Sequence, residues 1–207
     1  MNNLIIVGSR DYAIEMAETV NEINAAKPTW NLLGFLDDER KVGTEVAFGK
    51  KVLGPICGAD VRDDVFYGLG ISSPQGKLSV SERLLACGAK FATVVSPRAY
   101  ISPTAKLGAG CFVMRMSSVN HDTLLDDFVT VGCSMIGGSA YIGKYSTTTS
   151  FVNVTNCIIG ERVFIGSHSV ILNKRRVGDG AYICAGSIVM GNVKSGSKVM
   201  GCPARPI

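Results

Sequence analysis

Residues 159–189 read IGERVF IGSHSV ILNKRR VGDGAY ICAGSI V, and an aliphatic side chain opens every group of six. The same step runs upstream through Ile101, Leu107, Val113, Val119, Leu125 and Val131, and Ile142, Thr148 and Val154 keep it between the two runs. The phase slips by one residue twice, between Val131 and Ile142 and between Val154 and Ile159. A glycine often follows the aliphatic residue, as in Leu107-Gly108, Ile142-Gly143, Ile159-Gly160, Ile165-Gly166 and Val177-Gly178. A helix repeats near 3.6 and a strand at 2, so a period of six belongs to neither. It belongs to a triangular parallel β-helix, in which three short strands of about six residues make one coil and the aliphatic residue of each six points inward. Residues 101–207 would supply about six coils. Flat faces and open ends predispose such a prism to associate, with a homotrimer as the expected form.

Before residue 97 the pattern is different. Leu4–Val7 is a short apolar run, and Ala13, Ile14, Ala17, Val20 and Ile23 follow at helical spacing, with Ser9 or Asp11 as the expected cap. Leu32–Leu36 reads as a second strand stopped by Asp37-Asp38, Val65–Tyr67 as a third and Phe91–Val95 as a fourth. Ser79-x-x-Glu82 reads as a capping box opening a helix through Ala86. Alternating strands and helices imply a small α/β parallel sheet of Rossmann-like type. The chain therefore divides into an N-terminal domain, 1–96, and a β-helix domain, 97–207.

Hydrophobic residues make up 46% of the 207, ample for a core, and the net charge is only +4, too mild for nucleic acid as the main partner. No apolar run reaches the ~18 residues of a membrane span, and the first residues lack the features of a secretion signal. Seven cysteines, an odd number without a CxxC pair, fit reduced thiols in a cytoplasmic protein. With two histidines, a three-histidine metal site of the β-helix carbonic anhydrase type has too few ligands. No metal is expected.

Four segments, Leu33-Gly34-Phe35-Leu36-Asp37-Asp38, Phe91-Ala92-Thr93-Val94-Val95-Ser96-Pro97, Val119-Asn120-His121-Asp122 and Gly201-Cys202-Pro203-Ala204-Arg205, occur in this order on this scaffold. In them the chain resembles the sugar O-/N-acyltransferases, which join a Rossmann-like cap to a left-handed β-helix and acetylate nucleotide-linked amino sugars or sialic acid. The resemblance covers nearly the whole chain. It implies acetyl-CoA as donor, a nucleotide sugar as acceptor, a trimer, and a histidine base at a subunit boundary.

The residues can be read beside that resemblance. His121 takes the third place of its hexapeptide, near a corner of the prism, where a side chain points outward. Asp122 adjoins it and is placed to orient the imidazole and support its charge, which suits removal of a proton from an attacking amine or hydroxyl. His168 has no adjoining carboxylate, and counting by coils puts it on another edge. One coil beyond His121 stand Gly137 and Gly138. The resemblance places a backbone oxyanion donor there, with Gly138 as the match. Further along the edge come Asn156 and Asn173, followed by Lys174 and Arg175 as candidates for the CoA phosphates.

In the N-terminal half the first turn, Gly8-Ser9-Arg10-Asp11-Tyr12-Ala13, keeps one glycine where the family has more; Arg10 is a substitute source of charge. Asp37 and Asp38 match carboxylates that the family sets against the base or ribose. Asn120 joins Gly8, Ser9, Arg10, Asp37 and Asp38 as a candidate acceptor contact. The expected activity is N-acetylation of a nucleotide-linked amino sugar. O-acetylation of a sugar or sialic acid, and a silent trimeric sugar-nucleotide scaffold, are the alternatives.

Overall fold

The computed structural model describes residues 1–207. The first 91 build a sheet of strands β1 (Asn2–Val7), β2 (Trp30–Leu36), β3 (Glu45–Ala47), β4 (Lys50–Gly54), β5 (Val65–Leu69) and β6 (Lys90–Phe91), with helices α1 (Asp11–Ala26) and α2 (Pro74–Ala86). The order across the sheet is β3-β4-β2-β1-β5-β6, and every pair is parallel except β3 with β4. Leu4, Ile6 and Phe35 pack on one face with Ala13, Met16, Ala17 and Val20 of α1. Ile5, Val7, Tyr67 and Leu69 pack on the other with Leu84 of α2. Both faces are thus covered, as a parallel sheet requires.

Three local expectations are corrected. Neither Ser9 nor Asp11 caps α1; Arg10 holds the N-cap position without a side-chain bond. The Ser9 hydroxyl instead donates to Asp37 Oδ2 at 2.6 Å. Helix α2 opens at Pro74 behind an N-cap at Ser73, whose Oγ accepts from the Gly76 amide, and Ser79 and Glu82 lie within the helix. Proline at the first helical position after a serine is the stronger start signal. The stretch between Asp38 and Val65 contains the β3–β4 hairpin, whose turn places Phe48 and Gly49 both at positive φ. Finally, Phe91–Val95 is not one strand: Lys90–Phe91 ends the N-terminal sheet, and Val94–Val95 is the first rung of the β-helix.

From Val94 onward the chain is a parallel β-solenoid of the left-handed β-helix type. Two-residue rungs stack on three faces. The first face runs through Val94–Val95, Phe112–Val113, Thr130–Val131, Thr147–Thr148, Phe164–Ile165, Tyr182–Ile183 and Lys198–Gly201. The second face has six rungs, from Tyr100–Ile101 to Ile188–Val189, and the third has five, from Lys106–Leu107 to Arg176–Val177. Its interior is the expected aliphatic column, with Val119, Leu125, Val131, Ile136, Ile142, Val154 and Ile159 all sealed from solvent. The two slips are corners of three residues, 132–134 and 155–157. At the far end Lys198–Gly201 pairs antiparallel with Ala204–Pro206.

The N-terminal sheet lies on the first face, and two contacts fix it there. Arg115 of the solenoid reaches Glu15 at 2.9 Å and Glu18 at 3.0 Å on α1. On the opposite side Phe128 and Tyr145, stacked at 5.2 Å, enter the core beneath α2. No helix is long and apolar enough to cross a membrane.

Candidate active site

The corner between the second and third faces forms a ridge, and one residue of each coil there takes left-handed backbone. Asp122 (φ 57), Ser139 (φ 57), Asn156 (φ 48) and Lys174 (φ 61) recur one per coil. Backbone bonds tie these coils together: Ser139 N to His121 O (2.9 Å), Asn156 N to Gly138 O (3.1 Å) and Lys174 N to Asn156 O (2.9 Å). The order reached by counting, His121, Gly138, Asn156 and then Asn173-Lys174, is the order along this ridge. His168 stands on the corner between the first and second faces, stacked on Phe151 at 5.0 Å.

His121 and Gly138 are in contact. A methyl group built on Gly138 would lie 2.3 Å from His121 Nε2 and 2.4 Å from Cε1, so no larger residue fits beneath this imidazole as it stands. The other ring nitrogen, Nδ1, is 3.1 Å from Asp122 Oδ2. That bond assigns the proton to Nδ1 and leaves Nε2 as the unprotonated nitrogen, with the imidazole lying over the glycine. The bond to His121, with that from Thr104, holds the Asp122 carboxyl below its ordinary pKa. Thr104 is a site residue that the sequence reading missed; its Oγ1 accepts the Asp122 amide at 2.9 Å, and one coil of 18 counted backward from Asp122 finds it.

The amides around Gly138 differ from one another. Gly137 N bonds Val154 O and Ser139 N bonds His121 O, whereas Gly138 N makes no hydrogen bond within the chain. An unbonded N–H beside an imidazole with a free lone pair is the pairing that acyl transfer requires: a donor for the developing oxyanion and an acceptor for the nucleophile's proton. Gly137 is a scaffold glycine, since a Cβ there would meet Thr155 Oγ1 at 2.3 Å. Asn120 gives its side-chain amide to Ile136 O at 3.0 Å and braces the ridge. At the lower end Lys174 is exposed, and the Nε of half-buried Arg175 is sealed from solvent without a partner. Buried donors are rarely left so.

The five N-terminal candidates share a second place. Gly8, Ser9, Arg10, Asp37 and Asp38 line one cleft of about 430 Å³ with Tyr12, Gly70, Ser72 and Ser73, at the carboxyl ends of β1, β2 and β5. The amides of Ser9, Arg10, Asp11 and Tyr12 make no hydrogen bond in the chain, so the turn presents free N–H groups at a helix N-terminus despite its single glycine. The close approach needed here comes from Gly70, where a Cβ would meet Ala13 Cα at 2.6 Å. Arg10 pairs with Glu39 across the mouth. Burial raises the Asp37 pKa, but the Ser9 hydroxyl, the Glu39 and Arg40 amides and the Arg40 charge outweigh it and hold the carboxyl below its usual range. Asp38 Oδ1 accepts the amides of Ile56 (2.7 Å) and Cys57 (2.9 Å), clamping the opposite wall.

No protein-family model matches the chain. Among curated proteins it is similar to the bifunctional protein GlmU of Baumannia cicadellinicola, 30% identical over 174 residues (80% of this chain, 35% of that one). It is 37% identical over 87 residues to GlmU of Rhizobium johnstonii, covering 41% of this chain and 18% of that one. The chain spans only between 18% and 35% of the length of these relatives. Among solved structures, the acetyltransferase domain of PglB from Neisseria gonorrhoeae superposes over 100% of both chains with a TM-score of 0.91 at 22% identity. PerB from Caulobacter crescentus, solved with CoA and GDP-perosamine, superposes over 100% of this chain and 98% of that one with a TM-score of 0.86 at 18% identity. The fold is shared with them from end to end.

Proposed function

We propose that the chain is an acetyl-CoA-dependent N-acetyltransferase acting on a nucleotide-linked amino sugar. The observation that carries this reading is the contact of His121 Nε2 with Gly138, whose amide is unbonded, while Asp122 holds Nδ1. His121 accepts a proton from the attacking amine, and Asp122 supports the charge the ring then carries. The Gly138 N–H donates to the thioester oxygen as negative charge develops on it. The amine nitrogen forms the new amide bond, the carbon–sulfur bond breaks, and the departing thiolate takes up the proton held by His121. Asn156, Asn173, Lys174 and Arg175 flank the path of the donor, with the two cations meeting its phosphates. The solved neighbours support the same reading: the PglB domain was solved with acetyl-CoA, and PerB with CoA and an amino sugar carried on GDP.

The N-terminal sheet, which ends at Phe91, serves as a Rossmann-like nucleotide-sugar-binding domain. The free amides from Ser9 to Tyr12 and Arg10 meet the diphosphate, and Asp37 and Asp38 border the base and ribose. This sheet lies on the first face of the prism, whereas the His121 ridge is the edge opposite that face. One copy therefore serves its acceptor to the histidine of another, and the working unit is a homotrimer. Exposed Tyr100, Leu124, Met135 and Ile158, on the two faces that meet at the ridge, supply the apolar contact. Its place is the cytoplasm, where its seven unpaired cysteines stay reduced, and its products feed surface-polysaccharide synthesis.

Thiol release from acetyl-CoA, measured with a panel of UDP-, GDP- and dTDP-linked amino sugars, tests the reading. Release is expected with at least one acceptor and is lost in His121→Ala. No release with any acceptor would favour a binding scaffold, and activity surviving His121→Ala would overturn the mechanism.

A further inference from the structure

Lys77 is enclosed between α2 and the solenoid at 1% exposure. Its Nζ donates to Phe128 O at 2.8 Å and Ser146 O at 3.0 Å, and meets Thr130 Oγ1 at 3.1 Å. No carboxylate pairs with it; the one ionisable group that bears on it is the Cys111 thiol, itself bonded to Asp126 O at 3.1 Å. Burial without a counter-charge is an expensive way to fill space, and a methionine, unbranched and one atom shorter, would fill most of it more cheaply. What the amine adds is direction. Its two carbonyl partners bracket one coil: Phe128 stands at its start and Ser146 just past its end, and the far corner of that coil carries Gly138.

The other end of this link reaches the acceptor cleft. Lys77 lies one turn into α2, directly behind Ser72 and Ser73, which form a wall of the cleft. A second bond, Thr147 Oγ1 to Ser72 O at 2.8 Å, ties the same wall to the next rung. We propose that Lys77 is a positioning residue that sets the height of the Ser72–Ser73 wall against the coil bearing Gly138. Rotation about a trimer axis parallel to the prisms leaves heights unchanged, so a cleft level with its own Gly138 is level with its neighbour's. This assignment rests on the acetyl-transfer reading for its consequence, though not for its geometry.

Two variants test it, Lys77→Met and the milder Thr130→Val, which keeps the shape and removes one hydroxyl. Amide hydrogen exchange is read over residues 71–77 and over the solenoid, and KM is measured separately for amino sugar and for acetyl-CoA. In Lys77→Met, exchange over 71–77 is expected to rise about tenfold while the solenoid is unchanged. The acceptor KM rises about tenfold and the acetyl-CoA KM stays within about twofold. Thr130→Val moves the same quantities less far and decides the matter if Lys77→Met does not fold. Unchanged exchange over 71–77, or equal losses toward both substrates, would reduce Lys77 to a packing residue. A wild-type chain that transfers no acetyl group would sink the function proposed above, and the exchange measurement would still decide the role of Lys77.

Discussion

At Gly138 a single methyl group decides whether the imidazole above it can stay. The 2.3 Å approach to His121 Nε2 means that Gly138→Ala must swing the ring away from the unbonded amide. The imidazole is two-thirds exposed, so the swing meets solvent rather than core. Gly138→Ala is therefore expected to lower kcat about 10²-fold or more, close to His121→Ala, with little change in melting temperature; steady-state kinetics and thermal unfolding check the pair. Asp122→Asn keeps a partner for Nδ1 but removes the charge that stabilises the protonated ring, so a smaller fall of about tenfold is expected in kcat.

The buried amine of α2 makes a statement about pH. Burial lowers the Lys77 pKa from 10.5 to about 7, so above pH 7 the unfolded chain holds a proton that the folded chain does not, and stability rises with pH. Burial raises the Cys111 pKa from 9.0 to about 11, so above pH 9 the folded chain holds an extra proton at that thiol, which offsets the rise contributed by Lys77. Urea unfolding between about pH 7 and 8.5 should show stability increasing, and Lys77→Met should flatten that increase. Nothing in the sequence announces this lysine, because its burial depends on where α2 lands on the solenoid. Periodicity, by contrast, made the solenoid legible: six-residue spacing is local, survives two slips, and brings His121, the Gly137-Gly138 pair, Asn156 and Asn173 into sequence along one edge by counting. The β3–β4 hairpin left too little signal, being short, polar and half-exposed. The division of Phe91–Val95 was hidden because a continuous apolar run looks the same in one sheet or two. The unpartnered Arg175 Nε required coordinates, since identity alone does not say which donor is sealed.

For the whole molecule, the separation of cleft and ridge on opposite sides of the prism predicts complementation. His121→Ala and Asp37→Ala chains, each expected to be weak or inactive alone, should recover activity when unfolded together and refolded. About a quarter of the sites then combine an intact histidine with an intact cleft from another copy. Failure to recover in a folded mixed assembly would place both halves of the site in one chain. Leu124→Asp together with Met135→Asp, on the two flanking faces, should give monomers by light scattering and abolish transfer while leaving circular dichroism unchanged. The three-residue corners at 132–134 and 155–157 bear on how such a molecule changes over generations. Rungs above and below each shortened corner remain paired, as Val131 with Thr148 and Ile159 with Val177. Such a deletion is absorbed at the rim without disturbing the stack, and because the 155–157 corner lies on the His121 ridge, selection can trim or lengthen that ridge one amino acid at a time while the scaffold stands still.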